Sequence, residues 1–188
     1  PDATYEATVV RLRAMRVEGG PPPATRQDPL LLDLDGDGPE TTGRAGAQTF
    51  DLQGDGRLAP TSWVTGGDAF LALDRDGDGR ITSGLELFGD QHGAVDGFAE
   101  LARFDANGDA RIDAQDPVFE QLRLYDGTTL RPLEDTGIQA LALSPTRALE
   151  ELPTGDAILA RGSAQAAGRT VPVYAMALQT FGARTWEA

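Results

Sequence analysis

The hydrophobic pattern changes character along the chain. Residues 4–17 alternate, with Val10, Leu12 and Ala14 on one face and Val9, Arg11 and Arg13 on the other, which is the period of a strand. Gly19-Gly20-Pro21-Pro22-Pro23 follows, with neither helix nor strand potential, and reads as a linker. Pro29-Leu30-Leu31-Leu32 is a short apolar run that predicts a buried strand. Asp68 to Leu73 and Ser83 to Phe88 fit short helices. Val95 to Phe104 carries Phe98, Leu101 and Phe104 at helical spacing, and Pro117 to Leu124 fits a further helix with proline in its first turn. The last third turns β-like. Gly137 to Leu143 suits a strand, and Ala157 to Gln165 with Thr170 to Phe181 alternate around Ala166-Ala167-Gly168-Arg169 as a hairpin. Pro172 implies an edge position for its strand.

Composition narrows what such a chain can do. At 188 residues it is one domain, or one domain with an arm. No apolar run approaches the roughly 18–20 residues of a membrane span. A net charge of −14 argues against a nucleic-acid partner. Cysteine is absent, which removes disulfides, thiolate metal sites and cysteine nucleophiles. The single histidine, His92, reads as an exposed loop residue. All 16 basic residues are arginine, so lysine Schiff bases and phosphate-binding lysines are excluded. The chain opens at Pro1 without a signal peptide, as expected of a piece of something longer.

The acid is concentrated. Of 20 Asp residues, 16 lie between Asp28 and Asp116, interleaved with glycine. Four segments share the spacing D-x-[D/N/Q]-x-D: Asp33/Asp35/Asp37, Asp51/Gln53/Asp55, Asp74/Asp76/Asp78 and Asp105/Asn107/Asp109. Oxygens at positions 1, 3 and 5 of a loop converge when the chain turns sharply at position 6, a turn that glycine tolerates, and this is the arrangement that Ca2+ needs. The third loop continues through the Arg80 carbonyl to Glu86 at position 13, one residue beyond the usual closing acid. The fourth continues through the Arg111 carbonyl to Asp113 and Asp116, with Ala110 standing at a left-handed position. The first lacks a closing acid and offers Glu40 instead, and the second is weakest, offering Asp51 and Asp55. The plain alternative is a set of solvated Asp/Gly turns, and for the second loop the two readings stand level. The predicted class is α+β: EF-hand-like calcium loops with short helices packed on small β-sheet and hairpin elements. Residues 1–28 form a strand and linker, and residues 29–188 form the module. Within it lie a helix–loop–helix pair over about 67–124 and a C-terminal hairpin over about 155–182.

Asp28-Pro29 precedes the first loop. An Asp carboxyl can attack the carbonyl carbon of its own residue, close a five-membered cyclic anhydride and expel proline, whose nitrogen is readily protonated. Without the right geometry the bond is stable near neutral pH. Asp116-Pro117 is an internal control, because Asp116 is expected to be engaged in the fourth loop.

Gln27-Asp28-Pro29-Leu30-Leu31-Leu32-Asp33-Leu34-Asp35-Gly36-Asp37-Gly38, Gly66-Gly67-Asp68-Ala69-Phe70-Leu71-Ala72-Leu73-Asp74 and Glu86-Leu87-Phe88-Gly89-Asp90 together resemble the self-processing module of RTX (repeats-in-toxin) proteins. So do Gly97-Phe98-Ala99-Glu100-Leu101 and Gly137-Ile138-Gln139-Ala140-Leu141, and the likeness covers about residues 28–181. The resemblance implies a type I secreted bacterial protein, unfolded at low calcium and folded outside the cell. It implies that the module then cleaves Asp28-Pro29, with Asp28 as nucleophile and acyl donor and Pro29 as the new N-terminus. It also implies that the Asp anhydride can be captured by a lysine amine of another protein as an isopeptide cross-link. A further loop found in many relatives is shortened here to Leu124-Tyr125-Asp126-Gly127-Thr128. The expected state is a monomer that binds Ca2+. The competing reading is a calcium-rigidified structural or adhesive module that cuts nothing. A signalling sensor fits less well, since two Met cannot build a Met-rich groove.

Overall fold

The structure is a computed structural model that describes residues 27–182. The strand and linker expected before Gln27 lie outside the described residues. Eleven strands and one α-helix are present among the described residues: β1 (Leu30–Leu32), β2 (Gln48–Phe50), β3 (Ala59–Thr61), β4 (Ala69–Leu73), α1 (Gly97–Leu101), β5 (Arg111–Asp113), β6 (Leu122–Tyr125), β7 (Leu130–Pro132), β8 (Ile138–Ala142), β9 (Thr146–Glu151), β10 (Ala157–Ala166) and β11 (Arg169–Ala177). Nine of them form one antiparallel sheet in the order β5-β8-β10-β11-β1-β4-β6-β7, with β9 also on β10. Strands β2 and β3 form a separate pair. The large sheet curls into a half-barrel, and the composition is 38% strand and 12% helix.

This overturns the α+β, EF-hand-like expectation. The D-x-D loops are present, but strands rather than helices lead into three of them, β2 running into the second. β1 runs into the first loop and β4 into the third. The helix expected over Asp68 to Leu73 is β4. Its five residues are all buried: Ala69, Leu71 and Leu73 join one apolar cluster, and Phe70 and Ala72 join the other. A continuous apolar run in a strand buried on both faces has no alternation to betray its period. The helix expected over Ser83 to Phe88 is one 3-10 turn, Gly84–Glu86. The Pro117 to Leu124 segment is a 3-10 turn, Phe119–Gln121, followed by β6. The helical reading of Val95 to Phe104 matches α1 and the 3-10 turn Ala102–Phe104. The strands read at Pro29 to Leu32 and Gly137 to Leu143 are β1 and β8, and the hairpin is β10–β11.

Pro172 does not mark an edge strand, since β11 lies between β10 and β1. The reason is local. The Pro172 carbonyl accepts from the Asp33 N–H at 3.1 Å, just past the last residue of β1. A residue's N–H and C=O point the same way in a strand, so the donor that proline lacks would face the place where β1 has already left the sheet.

β1 is the central strand. Leu30 and Leu32 pack on one side, Leu31 on the other, and all three are fully buried. The second cluster is centred on Trp63, whose ring meets Phe50, Phe70 and Tyr125 edge-on at 4.7, 5.1 and 6.0 Å. Its indole N–H donates to the Asp126 carbonyl at 2.8 Å, so the shortened loop after β6 serves as an anchor for the core. No helix among the described residues is long and apolar enough to cross a membrane.

Candidate functional site

In each loop the first Asp folds the turn. Asp33 takes the N–H groups of Gly36 and Gly38, Asp51 those of Asp55 and Gly56, Asp74 those of Gly77 and Gly79, and Asp105 those of Gly108 and Ala110. Three turns place glycine at left-handed φ where the fourth places Ala110, at φ 64°. The sequence-level expectation of a strained alanine holds.

The loops differ in what they gather. In the first, carboxylate oxygens of Asp33, Asp35 and Asp68 lie within 4.8 Å of one another. Asp68 was missed by spacing arguments because strand pairing delivers it. Leu32 opposes Ala69 across β1 and β4, so the next pair outward is Asp33 and Asp68. Asp68 is buried, one oxygen accepts the Glu40 N–H at 2.8 Å, and the other has no partner. Burial pushes its carboxyl up to about 7, helped by the charges of Asp33 and Asp35. Glu40, the closing acid expected from sequence, sits over Gly66 and supplies its backbone N–H instead of joining the cluster. Asp37 is exposed, and a hydrogen bond and the charge of Asp35 hold its carboxyl above the usual range.

In the third loop, oxygens of Asp74, Asp76 and Glu86 lie within 4.8 Å of one another. Glu86 is buried. Its Oε2 accepts from the Thr82 N–H at 2.8 Å, and its Oε1 has no partner. Asp78 lies outside this set and accepts the Arg80 N–H, while Arg80 stands exposed at the position read as a carbonyl ligand.

The fourth loop forms no such trio among the described residues. Asn107 and Asp109 bond each other, and Asp109 accepts the Arg111 N–H. Asp116 is buried with both oxygens engaged, one by the Ala106 N–H at 2.8 Å and one by the Asp113 N–H at 3.0 Å. The second loop packs on the third: the Gly84 N–H donates to the Asp51 carbonyl, and a Cβ on Gly54 would meet Leu85. Asp55 accepts the Arg57 N–H and is exposed.

Two trios of carboxylates, each with an unpartnered buried oxygen, form an oxygen-only donor set of high negative charge. That chemistry suits a hard divalent cation and no soft one.

Asp28 and Pro29 lie where β1 begins. The Pro29 carbonyl accepts from the Met176 N–H at 3.0 Å, and the Leu30 N–H donates to the Phe88 carbonyl at 3.0 Å. Phe88 stands beside β4 where β1 would otherwise continue, with Ala72 bridging to Leu87. The chain therefore peels away from β4 at the Asp28-Pro29 peptide. Asp28 is buried and its Oδ1 has no hydrogen-bond partner. Burial, then the charges of Asp90 and Asp96, raise its carboxyl to about 7, and backbone N–H groups of Asp28 and Asp90 offset part of this. Sequence reading gave neither acid a chemical role, though Asp90 closes the Glu86-Leu87-Phe88-Gly89-Asp90 motif.

The third loop reaches this peptide by two routes. Glu86 lies two residues before Phe88. Arg75, inside the loop, pairs with buried Glu100 at 2.6 Å, and the other Glu100 oxygen accepts the Gly89 N–H at 2.7 Å. His92 is exposed, as expected, with Nε2 3.6 Å from Glu100.

The sequence matches the SPM domain family over residues 30–179, a stretch that starts one residue after Pro29. It is also 42% identical over 154 residues to the iron-regulated protein FrpA of Neisseria meningitidis serogroup C. That alignment takes in 72% of this chain but only 14% of the relative, so the chain corresponds to a small part of that protein. The extent of the family match and the identity to FrpA agree, and the chain belongs to the SPM domain family.

Proposed function

We propose that this chain is a calcium-dependent self-processing module that cuts its own Asp28-Pro29 bond through an Asp anhydride. The carrying observation is the contrast between its two Asp-Pro pairs. Asp28 is buried with an oxygen that has no hydrogen-bond partner, whereas both oxygens of Asp116 hold the fourth loop together. A carboxyl with an unpartnered oxygen is freer to reach its own main-chain carbonyl carbon than one whose two oxygens are both held by N–H groups.

The residues divide the work. Met176 and Phe88 fix the two sides of the scissile peptide's strand, which holds the carbonyl in place while the Asp28 side chain reaches it. Asp33, Asp35 and Asp68 would hold one Ca2+, and Asp74, Asp76 and Glu86 another. Bound there, the ions supply charge neutralisation that lets repelling acids pack. The first trio ties the end of β1 to the start of β4. The second steadies the Glu86–Phe88 segment that grips Leu30. The resemblance to RTX modules and the FrpA match favour a secreted bacterial parent, and the anhydride released by cleavage would accept a lysine amine of another protein. No lysine exists in this chain to compete.

Asp28→Ala is the direct test. It is expected to abolish cleavage and leave calcium binding intact by calorimetry. Cleavage that survives the change refutes the mechanism. The structural alternative predicts calcium-induced folding and an uncut chain.

A further inference from the structure

The self-cleavage proposed above needs a proton as well as a nucleophile. The leaving nitrogen of Pro29 departs as an amine only if it gains one. An ordinary Asp carboxyl has lost its proton roughly three pH units below neutrality.

Two acids outside both carboxylate trios sit on segments packed against the start of β1. Asp90 sits on the turn after Phe88, whose preceding residue, Gly89, is pinned by Glu100. Asp96 caps α1, with Oδ1 accepting the Ala99 N–H at 2.7 Å. The next residue, Gly97, packs so tightly that a Cβ there would stand 2.5 Å from the Phe88 carbonyl oxygen and 2.8 Å from Leu30 Cγ. Both acids are thus held against the start of β1 from different elements. Among the described residues, two further elements pack here. β11 presents the Met176 N–H, and the Gly84–Glu86 turn presents Glu86, whose carboxylate faces Thr82.

We propose that Asp90 and Asp96 are positioning residues for self-cleavage, whose negative charges keep on Asp28 the proton that the departing Pro29 nitrogen takes up. The inference rests on the self-processing reading. In the step, a carboxyl oxygen of Asp28 bonds to its own main-chain carbonyl carbon. The C–N bond to Pro29 breaks with its electron pair on nitrogen, and the carboxyl proton ends on that nitrogen. The products are a cyclic anhydride at Asp28 and a secondary amine at Pro29, and water then opens the anhydride to two carboxyl groups. The raised Asp28 carboxyl, at about 7, supports this: burial acts first, then Asp90 and Asp96.

The test uses the 1–188 chain with Asp90→Asn, Asp96→Asn and Asp96→Ser, the last retaining a helix-capping oxygen. Cleavage is followed by intact mass from pH 5 to 9 in saturating calcium, with folding checked by circular dichroism at each pH. The wild-type rate is expected to fall about tenfold per pH unit above 7. In the variants that fall begins at lower pH, so they are several-fold slower at pH 8 and match wild type near pH 5.5. A folded variant whose profile keeps the wild-type midpoint, or that is slowed equally at every pH, overturns the inference and spares the self-cleavage reading. A wild-type chain that folds with calcium and stays whole at every pH overturns that reading. In such an uncut chain the carboxyl 13C titration of Asp28 still decides the inference: a midpoint unchanged by Asp90→Asn refutes it.

Discussion

Replacing Gly97 by alanine puts a methyl group 2.5 Å from the Phe88 carbonyl oxygen and 2.8 Å from Leu30 Cγ. Non-bonded atoms of this kind sit comfortably about 3.5 Å apart, so the contacts fall short by about 1.0 and about 0.7 Å and each side must yield roughly half an ångström. The Phe88 carbonyl cannot move alone, because it accepts the Leu30 N–H at 3.0 Å, and Leu30 follows the scissile pair. Two opposing terms set the stability. Alanine gains about 1 kcal/mol over glycine inside a helix. Overpacking of a dense core costs about 1–3 kcal/mol. The net expectation is a loss of up to about 2 kcal/mol, read by urea unfolding in saturating calcium. The rate has no such offset. A misplacement of about 1 Å costs on the order of 100-fold when the reaction depends on near-attack geometry, so half that shift predicts about tenfold slower cleavage. Intact-mass time courses measure it. A variant that is more stable than wild type and cleaves at the wild-type rate refutes the packing of α1 against the scissile strand.

Further expectations follow from the same contacts. Asp68→Asn removes a buried anionic oxygen from the first trio and is expected to weaken one calcium site by about tenfold or more, seen as a split calorimetric isotherm. Ala110→Gly relieves a left-handed alanine at φ 64° and is expected to add about 0.5 kcal/mol in urea unfolding, after glycine's own entropic cost. Leu71→Ala, in the central β4, is expected to cost about 2–5 kcal/mol and to raise the calcium needed for folding. In calcium-free buffer the chain gains stability as pH falls from 7 to 5. Burial raises Asp28 and Asp68 to about 7 in the folded state, above the ordinary Asp value of 3.8, so the folded state binds more protons in that window. The slope is at most about 1.4 kcal/mol per pH unit for each group, and thermal melts at stepped pH check its sign.

What was legible in the sequence was local. The D-x-D turns, their glycines, the strained Ala110 and the short strand at Leu30–Leu32 all follow from residues within a few positions of one another. The alternation of the last hairpin was readable for the same reason. What was hidden depends on pairing at a distance. Asp68 joins Asp33 only because β1 and β4 run side by side, and its neighbours Ala69–Leu73 carry no period to announce a strand. The analogy of a D-x-D-x-D-G loop with a helical frame pulled the reading of both flanks toward helix. Glu40 was the nearest acid in sequence, whereas the trio within 4.8 Å is completed by Asp68. Asp96 lies in no motif and Asp90 only closes Glu86-Leu87-Phe88-Gly89-Asp90; their meaning comes from the turn and the helix cap that set them by the start of β1.

The central claim is tested most directly by intact-mass spectrometry of the freshly purified calcium-free chain, before and after millimolar calcium at neutral pH. The account predicts a calcium-dependent split into residues 1–28 and 29–188, with Asp116-Pro117 whole. An unchanged mass in a sample that calcium has visibly folded would contradict it.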